Sequence, residues 1–230
     1  MKDLLLDSAY FGIFISVLGY MIGMAIAKRF RRPIFNPLLI SVAFVILVLL
    51  VTGVSFDHYN QSASHLSYLL TPATVCLAVP LYQQLHVLKQ QWRAILLSIL
   101  AGTITSAVSI LLFSMLFHLD HAEYITLLPK SVTSAISYSV SQDLGGVPSL
   151  TIASATITGL LGNIAATALC KLFRIKNPVA VGLAIGTSSH ALGTSRALEL
   201  GEVQGAMSSL SIAVAGLITV VLAPIFANFF

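Results

Sequence analysis

The sequence predicts an all-α, polytopic membrane protein, and three observations support this class. Hydrophobic residues make up 57% of the chain and charged residues only 9%, whereas soluble domains carry roughly 25% charged residues. Several windows without acidic or basic side chains are long enough to cross about 30 Å of hydrocarbon as helices. They are Ile34–Phe56, Ala94–Phe117, Leu144–Cys170 and Val203–Phe230. Because these windows do not alternate as transmembrane β-strands do, we expect one membrane domain over residues 1–230, a helical bundle of seven or eight segments.

The composition also excludes several function classes. The formal net charge of +4 comes from lysines and arginines in loops, so it indicates orientation and not nucleic-acid binding. Cys76 and Cys170 lie in apolar segments without the spacing of a metal or disulfide motif. No serine has a histidine and a carboxylate at a spacing that would make it a nucleophile. We therefore expect no nucleic-acid partner, no metal, no cofactor and no enzymatic activity.

The first two segments are predicted as uninterrupted helices. The first covers about residues 5–27 and ends at the basic run KRFRR, residues 28–32, which should be cytoplasmic. At the start of the second, Asn36 and Pro37 form either a helix cap or an ordinary interfacial Asn-Pro turn. This helix should end near Ser55 and lead into an external loop.

The third segment, over about residues 66–85, is predicted to be broken. Pro72 and Pro80 each remove an intrahelical hydrogen bond, and a bilayer tolerates the freed carbonyls only where protein or water covers them. Lys89 and Arg93 follow and should be cytoplasmic.

A fourth helix, Ala94–Phe117, leads into the run HLDHAE at residues 118–123. The histidines and acidic residues of this run match no strong zinc pattern, which favours a solvated external loop over a metal site.

The fifth segment should be a re-entrant hairpin from Pro129 to Pro148 that turns at Gly145 and Gly146. Two complete crossings would place the basic residues at positions 171–176 outside, against the positive-inside bias. A proline and a Gly-Gly turn at the ends of this segment favour a hairpin that enters and leaves on one face.

A weak internal repeat relates residues 66–117 to residues 124–173. Pro129 follows Pro72 by 57 residues, and several apolar and glycine positions align at that offset without a gap. Repeats of this kind are frequent in transporters.

Polar side chains follow Pro129, and Lys130 is the only cation among them. On a helical projection the polar residues of the segment share one face, namely Ser131, Ser134, Tyr138 and Gln142. In a transporter, Lys130 and these hydroxyl groups would hold an anion. Alternatively, Lys130 anchors a helix end at the interface and the serines bond to carbonyls of neighbouring helices.

A second polar stretch, residues 182–202, lies between apolar segments. Its candidate ligand-binding side chains are Thr187, Ser189, His190, Thr194 and Arg196. A continuous helix would separate His190 from Arg196. Breaks at Gly186 and Gly193 would let both approach one ligand, and the N-terminus of a half-helix would add donors suited to a carboxylate.

Structural alternatives exist for both charged groups of this stretch. Arg196 can pair with Glu199, three residues further on. His190 can be a buried, hydrogen-bonded histidine instead of a proton carrier. The stretch either crosses the membrane completely or is broken, so the C-terminus is assigned to neither side of the membrane.

Four runs of the sequence resemble the LrgB/CidB family, including its YohK branch. They are NPLL at 36–39, LPKSVT at 128–133, GGVPSLT at 145–151 and GTSSHALGTSRALELGEVQGAMSSL at 186–210. The similarity covers nearly the whole chain. It departs from the family pattern at Ala135, where a proline is frequent, and at Ser188, where an alanine is frequent.

The resemblance implies one of two functions. The family was named for holin-like and antiholin-like proteins thought to modulate murein hydrolase activity and cell death together with a smaller LrgA/CidA-type partner. A plant relative is a plastid glycolate/glycerate transporter, and bacterial relatives are associated with pyruvate. We therefore expect a transporter of small monocarboxylates in the bacterial inner (plasma) membrane, with the antiholin-like role as the alternative.

For transport we expect a homodimer in contact with lipid, with His190 able to couple a proton. The expected substrate-binding residues are Lys130, Ser131, Thr133, Thr187, Ser189, His190, Thr194 and Arg196. The expected hinges are Pro72, Pro80, Pro129, Gly145, Gly146, Gly186 and Gly193.

Overall fold

The computed structural model describes residues 10–30, 35–69, 72, 75–76 and 78–230. Nearly all of these residues are helical, and none of them forms a strand. The all-α class is therefore confirmed. The chain divides into two compact units, residues 1–76 and residues 77–230, and each is described by itself. The predicted single domain, the internal repeat and the number of membrane segments stay predictions.

The first unit contains three α-helices and one 3-10 helix in its described part. They are α1 (Phe11–Phe30), α2 (Pro37–Thr52), α3 (Phe56–Ala63) and the 3-10 helix Ser64–Leu69. The predicted external loop after Ser55 is therefore helical, which corrects the prediction. Ser55 has extended backbone and caps α3, and Asp57 lies in the first turn, where a carboxylate is stabilised by the helix dipole.

Asn36 caps α2. Its Oδ1 accepts hydrogen bonds from the backbone N–H groups of Leu38 at 2.8 Å and Leu39 at 3.4 Å, while Pro37 occupies the first helical position. Of the two interpretations of this Asn-Pro pair, the structure supports the cap. The helix ends at Gly53, whose φ of 65° is left-handed, a conformation that glycine adopts without a steric penalty.

The second unit contains seven helices in its described part. They are α4 (Ala78–Gln83), α5 (Leu85–Phe117), α6 (His121–Leu127), α7 (Ser134–Leu144), α8 (Pro148–Leu172), α9 (Pro178–Leu200) and α10 (Glu202–Ala227). Across both units, four described helices are long and apolar enough to cross a membrane, namely α1, α5, α8 and α10. The protein is therefore a multi-pass membrane protein.

The chain is interrupted after Pro80 and again near Gln91. Pro80 lies inside the short helix α4, which ends at Gln83, and α5 begins at Leu85. Lys89 and Arg93 therefore both belong to α5, and their predicted cytoplasmic position stays a prediction. The kink falls at Gln91, with φ −120° and ψ 18°. Residues 70, 71, 73 and 74 beside Pro72 lie outside the described part, so the predicted hinge at Pro72 stays a prediction.

The run at residues 118–123 forms the start of α6. Asp120 accepts a hydrogen bond from the N–H of Glu123 at 2.7 Å, and the Glu123 carboxylate accepts one from the N–H of Asp120 at 2.9 Å. This reciprocal capping box occupies both acidic side chains. His121 Nδ1 lies 3.0 Å from the carbonyl of Phe230. The polar residues of this run thus stabilise a helix start.

The fifth segment is divided at Pro129 and turns at Gly145. Residues 128–133 connect α6 to α7 without forming a helix. With 11 residues, α7 is only about 16 Å long, too short to cross a bilayer. Gly145 ends α7 with φ 87°, and the Gly146 N–H donates to the carbonyl of Ser141 at 2.8 Å. The membrane face on which this hairpin opens stays a prediction.

Helix α9 is interrupted at His190, which has φ 42° and ψ −139°. The predicted breaks at Gly186 and Gly193 are therefore wrong, and both glycines have helical backbone. Gly186 instead permits close packing, because a Cβ there would lie 2.7 Å from the Cα of Ser208 on α10. The imidazole Nε2 of His190 lies 2.9 Å from the carbonyl oxygen of Ala155 on α8, which holds the interrupted backbone in place.

Asn177 caps α9 as Asn36 caps α2. Its Oδ1 accepts hydrogen bonds from Val179 N–H at 2.9 Å and Ala180 N–H at 3.4 Å. We expect Asn36→Ala and Asn177→Ala each to lower the free energy of unfolding by about 1 kcal/mol, because each leaves two helix N–H groups without an acceptor. Reversible unfolding in mixed detergent micelles measures the difference. Asn→Ser at the same positions should retain most of the stability, and an alanine variant as stable as the serine variant would contradict the prediction.

Candidate functional site

The second unit contains an open cavity of about 620 Å³, and among its walls Leu161 is 61% exposed and Leu169 48%. Its walls come from α5, α8 and α9, and the connection between α6 and α7 supplies two further residues. The polar residues that line it are Ser98, Thr105, Ser106, Ser109, Lys130, Ser131, Thr158, Thr187, Ser188 and Ser189. Its apolar lining residues are Gly102, Leu161, Gly162, Ala165, Leu169, Ala180, Leu183 and Ala184.

Among the described residues, Lys130 is the only cation that lines this cavity. Its Nζ lies 3.4 Å from Ser131 Oγ, and Ser131 Oγ lies 2.9 Å from Ser106 Oγ on α5. No described carboxylate lies within 4.0 Å of the ammonium, since the ion pair formed within the described residues joins Arg196 to Glu199. The positive charge of Lys130 is therefore available to a ligand.

Thr187 contributes a buried hydroxyl group without a partner. Its side chain is 8% exposed, and its Oγ1 makes no hydrogen bond to any described residue. Thr187 lines both the large cavity and an adjoining cavity of about 20 Å³. A buried hydroxyl without a partner costs about 1–3 kcal/mol, which a ligand or a water molecule in the cavity would offset.

The donors available to a ligand are fewer than the hydroxyl groups of the wall. A serine or threonine hydroxyl has one hydrogen, and several of these hydrogens are already used: Thr105 donates to the Ala101 carbonyl at 2.7 Å and Ser109 to the Ser106 carbonyl at 2.7 Å. Ser98 and Thr158 make no hydrogen bond within the described structure. Together with Lys130 and Thr187, they are the strongest candidates to donate to a ligand.

The interruption of α9 brings three residues into the cavity wall. Thr187, Ser188 and Ser189 are the last residues before the break at His190. A helix end at this point carries unpaired carbonyl groups and the negative pole of the helix dipole. The second half-helix begins after His190, and none of its residues is among the described residues that line the cavity. The prediction that its N-terminus supplies donors to a ligand stays a prediction, and the groups of the described wall that attract an anion are the Lys130 ammonium and the hydroxyl groups.

Glycines on the facing helices allow the interrupted part of α9 to approach closely. A Cβ at Gly102 of α5 would lie 2.8 Å from Thr187 Cγ2. A Cβ at Gly162 of α8 would overlap the side chain of Ser189, and one at Gly159 would lie 2.8 Å from Cε1 of His190. These distances are shorter than van der Waals contact, so the shape of the cavity depends on the missing side chains.

The structure brings together only half of the predicted substrate-binding residues. Lys130, Ser131, Thr187 and Ser189 line the cavity, whereas Thr133, His190, Thr194 and Arg196 do not. Thr133 is the residue before α7. Thr194 lies 2.7 Å from Ser208 Oγ and donates to the carbonyl of His190 at 2.9 Å. The substrate-binding role of these residues stays a prediction.

Arg196 lies outside the cavity and is already paired. Its Nη1 lies 2.5 Å from the Glu199 carboxylate, and its Nε and Nη2 donate to Thr167 Oγ1 at 3.3 and 3.2 Å. The alternative of a structural ion pair is therefore the arrangement that the structure contains. The second cation expected at the site is not part of the cavity wall.

The predicted hydroxyl face of the fifth segment is not formed as a helix face. Ser131 lies in the connection before α7, which begins at Ser134. Tyr138 is 42% exposed and, like Ser134 and Gln142, does not line the cavity. Because Pro129 interrupts the helix, Lys130 and Ser131 reach the cavity and the rest of the polar residues do not.

Sequence reasoning missed the polar residues contributed by α5 and α8. On α5, Ser98, Gly102, Ser106 and Ser109 follow one another at intervals of three or four residues and so share one helix face, and Thr105 lies beside Ser106. This spacing of small and polar residues in an otherwise apolar helix was a usable signal. Thr158 on α8 gave no comparable pattern.

Chemically, the site can bind a small anion. Within the described residues, no group of three histidine, cysteine or acidic side chains is placed to hold a metal ion. One ammonium group and several unpaired hydroxyl donors face an otherwise apolar cavity, in which charge–charge and hydrogen-bond energies are larger than in water.

The chain was compared with protein families and known proteins. The model of the LrgB-like family matches residues 16–229. The antiholin-like protein LrgB of Bacillus mycoides (strain KBAB4) is 37% identical over 221 residues, and those of Bacillus cereus (strain B4264) and Bacillus anthracis (strain CDC 684 / NRRL 3495) are 36% identical. Each of these alignments covers 96% of both chains. No solved structure matches this chain. The chain belongs to the LrgB-like family.

Proposed function

We propose that this protein binds a small monocarboxylate in the cavity and carries it across the bacterial inner membrane. The observation that carries the proposal is the Lys130 ammonium, which faces the cavity without a described carboxylate partner. A charged side chain inside a membrane protein is costly unless it is paired. A substrate carboxylate would supply the missing negative charge and would accept hydrogen bonds from Lys130 and from Thr187.

The elements around the cavity suit a carrier. The connection at residues 128–133 and the break at His190 are both interruptions of helices, and both contribute to the cavity wall. Discontinuous helices at substrate sites are typical of secondary transporters, in which one group of helices moves against another. The proposal is accordingly for a carrier and not for an enzyme. Proton coupling, a homodimer and a smaller LrgA/CidA-type partner remain predictions.

The second candidate is an antiholin-like role, and a specific observation favours it. The relatives reported above, at 36–37% identity, are named antiholin-like proteins. Helix α10 also carries small residues that suit close helix packing and are compatible with either function: Gly205, Ser208, Ser209, Ala213 and Gly216. Gly205, Ser208 and Gly216 are buried within the subunit, where Ser208 bonds to Thr194, whereas Ala213 is exposed.

Transport and membrane permeabilisation differ in their concentration dependence. We expect the purified chain in proteoliposomes to exchange labelled glycolate or pyruvate with saturation, and to retain a trapped fluorescent dye. Carriers saturate because each cycle binds a substrate at one site, whereas a lesion passes dyes without saturation. Empty liposomes give the background flux. Dye release together with non-saturating flux would overturn the carrier proposal and support the antiholin-like alternative.

A further inference from the structure

We propose that the second unit contains two re-entrant hairpins, α9 and the pair α6–α7, which enter the membrane from opposite faces and meet at Lys130. The α9 hairpin enters from the cytoplasmic face. The contacts of α8 and α10 carry the arrangement of the hairpins, and their role as the two gates of a carrier rests on the proposed function.

Helix α9 folds back on itself at His190. On α10, Ser208 contacts α9 on both sides of this break: a Cβ at Gly186 would lie 2.7 Å from the Cα of Ser208, and Oγ1 of Thr194 lies 2.7 Å from its Oγ. In a continuous helix, eight residues would separate Gly186 from Thr194 by about 12 Å along the axis. Because both meet one residue of α10, α9 is a hairpin with its tip at His190.

The start of α10 shows the same pairing. A Cβ at Gly182 would lie 3.0 Å from the Cα of Gln204, and a Cβ at Gly205 would lie 3.2 Å from the Cα of Leu198. A continuous helix would place residues 182 and 198 about 24 Å apart. The two arms of α9, before and after His190, therefore run antiparallel, and both ends of α9 lie near the start of α10.

The contacts with α8 agree with this direction. After His190, higher residue numbers on α9 meet higher numbers on α8: Asn163 Nδ2 donates to the carbonyl of Leu192 at 2.6 Å, and Arg196 Nε donates to Thr167 Oγ1 at 3.3 Å. The second arm thus runs parallel to α8 and places Arg196 between the tip and the open end. In addition, α9 is not among the four described helices that are long and apolar enough to cross a membrane.

Helices α6 and α7 form the second hairpin, and the connection at residues 128–133 is its tip. Val140 of α7 packs in one buried cluster with Tyr124 of α6. Just beyond α7, the Val147 N–H donates to Thr126 Oγ1 at 2.8 Å. The end of α7 has therefore returned to the level of α6, and both open ends of this hairpin lie together.

The open ends of the two hairpins lie at opposite ends of α10. Gly201 joins the α9 hairpin to the start of α10. At the other end of α10, the Tyr124 hydroxyl donates to the carbonyl of Phe226 at 2.9 Å, and His121 Nδ1 lies 3.0 Å from the carbonyl of Phe230. With 26 residues, α10 is about 39 Å long, which is enough to cross the hydrocarbon core. The hairpins therefore enter from opposite faces.

The two tips meet beside Lys130. Ser131 of the α6–α7 tip and Thr187 near the α9 tip line both the large cavity and the adjoining small one, and Lys130 Nζ lies 3.4 Å from Ser131 Oγ. A ligand at Lys130 is therefore bound between the tips. In a carrier, movement of either tip opens this site towards the face from which that hairpin enters, as alternating access requires.

The charges at the two ends of the unit assign the faces. Leu88 and Val203 pack on one buried cluster, so the start of α5 lies at the same end as the start of α10. The lysines and arginines in the segments of this end are Lys89, Arg93, Lys171, Arg174 and Lys176. The segments of the other end, residues 117–127, 141–148 and 224–230, contain neither lysine nor arginine. Because cytoplasmic segments carry the excess of lysine and arginine, the α9 hairpin enters from the cytoplasm.

Cysteine accessibility in bacterial cells tests the arrangement. Single cysteines are introduced into a chain in which Cys76 and Cys170 are replaced by serine, and a membrane-impermeant maleimide is applied before and after permeabilisation. Labelling in intact cells is expected for three variants: His118→Cys, Asp143→Cys and Phe229→Cys. Labelling only after permeabilisation is expected for two: Lys176→Cys and Glu202→Cys. The serine background without an added cysteine is the unlabelled control.

The labelling pattern can contradict each part of the arrangement. Lys176→Cys and Glu202→Cys on opposite faces would show that α9 crosses the membrane, and would overturn the inference. His118→Cys and Asp143→Cys on opposite faces would do the same for α6–α7. Labelling of all five variants from one face would overturn the opposed entry of the hairpins, and a fully reversed pattern would overturn the assignment of the cytoplasmic face.

A cysteine near the α9 tip tests the two gates. Ser188 lines the cavity, and its hydroxyl donates to the Ala184 carbonyl at 2.8 Å. We expect Ser188→Cys to react with the impermeant reagent both in intact cells and in inside-out vesicles, and pyruvate to slow both reactions. Lys176→Cys is the control, and it should react only in inside-out vesicles, at a rate that pyruvate does not change.

The outcomes separate the gates from the proposed function. Reaction of Ser188→Cys from one face only, with and without pyruvate, would overturn the two gates. A chain that shows the expected five-variant pattern but binds no pyruvate through Lys130 would overturn the proposed function and leave the opposed hairpins standing.

Discussion

Lys130→Ala is expected to weaken carboxylate binding about 10- to 100-fold and to lower flux at subsaturating substrate by a similar factor. Hydrogen bonds to charged groups contribute about 1.5–3 kcal/mol, and about 1.4 kcal/mol corresponds to a factor of ten in affinity. Lys130 is the only cation in the described part of the cavity wall, so no other described side chain of that wall can replace its charge. Equilibrium binding of labelled pyruvate and initial rates of uptake into proteoliposomes measure the two effects.

Two variants serve as controls for this substitution. Lys171→Ala removes a positive charge from an exposed position at the end of α8, outside the cavity wall, and should leave binding unchanged. Lys130→Arg keeps the charge but enlarges the group, and it should retain part of the binding. Equal losses in Lys171→Ala and Lys130→Ala would mean that net charge, and not the site, determines the affinity.

The same substitution separates the two proposed functions. A carrier depends on the ligand that Lys130 binds, whereas an antiholin-like role that operates through protein association does not require an anion in this cavity. Lys130→Ala should therefore lower uptake about 10- to 100-fold without changing the oligomeric state of the purified chain. An assembly that Lys130→Ala leaves unchanged, with no saturable uptake in the wild type, would favour the antiholin-like alternative.

The membrane class and the position of the fifth-segment break were predictable from local rules. Apolar windows without charges identify spanning helices whatever their partners, and Pro129 cannot donate the backbone hydrogen bond that a continuous helix needs. The break places Lys130 in a connection between helices. The helix break at Pro129 directs the Lys130 ammonium into the cavity, so a short sequence motif was sufficient to identify Lys130 as a site residue.

The break in α9 was not predictable from its glycines. Glycine lowers the cost of unusual backbone, but it equally permits close packing. Gly186 packs against the backbone of Ser208 on α10, and the left-handed residue is His190, held by the carbonyl of Ala155 on α8. Both contacts join residues distant in sequence, so a single-helix argument could not choose between them.

The hydroxyl groups of α5 were overlooked because each is compatible with an ordinary apolar helix. Thr105 satisfies its hydroxyl with the Ala101 carbonyl, an interaction available within any helix. Their spacing on α5 indicates a shared face, and the packing of α5 against α9 shows that this face, with Ser98 and Ser106, lines a cavity. Arg196 is the opposite case, a residue that was expected at the site and does not line it. Its charge predicted contact with a ligand, whereas in the structure that charge is paired with Glu199.

Gly162→Ala is expected to lower the free energy of unfolding by about 1–3 kcal/mol, the usual cost of inserting a group into a filled contact. A Cβ at Gly162 would overlap Oγ of Ser189 and lie 2.5 Å from its Cβ. Ser189 is 2% exposed and precedes the break at His190 directly, so it has little room to move. Relief of the overlap requires α8 and α9 to separate, which would also change the cavity wall that both helices form.

A double-mutant cycle with Ser189→Gly tests this contact specifically. Ser189→Gly removes both atoms with which the new methyl group collides, so the double variant should recover at least about 0.5 kcal/mol relative to the sum of the single effects. Gly145→Ala is the matched control: its Cβ would meet no atom within 4 Å, so its cost is backbone strain at φ 87°, which Ser189→Gly should not relieve. Reversible unfolding in mixed micelles gives all the free energies. Strict additivity of Gly162→Ala and Ser189→Gly would show that α8 and α9 are not in contact at this point, and that the cavity wall described here is not closed by Ser189.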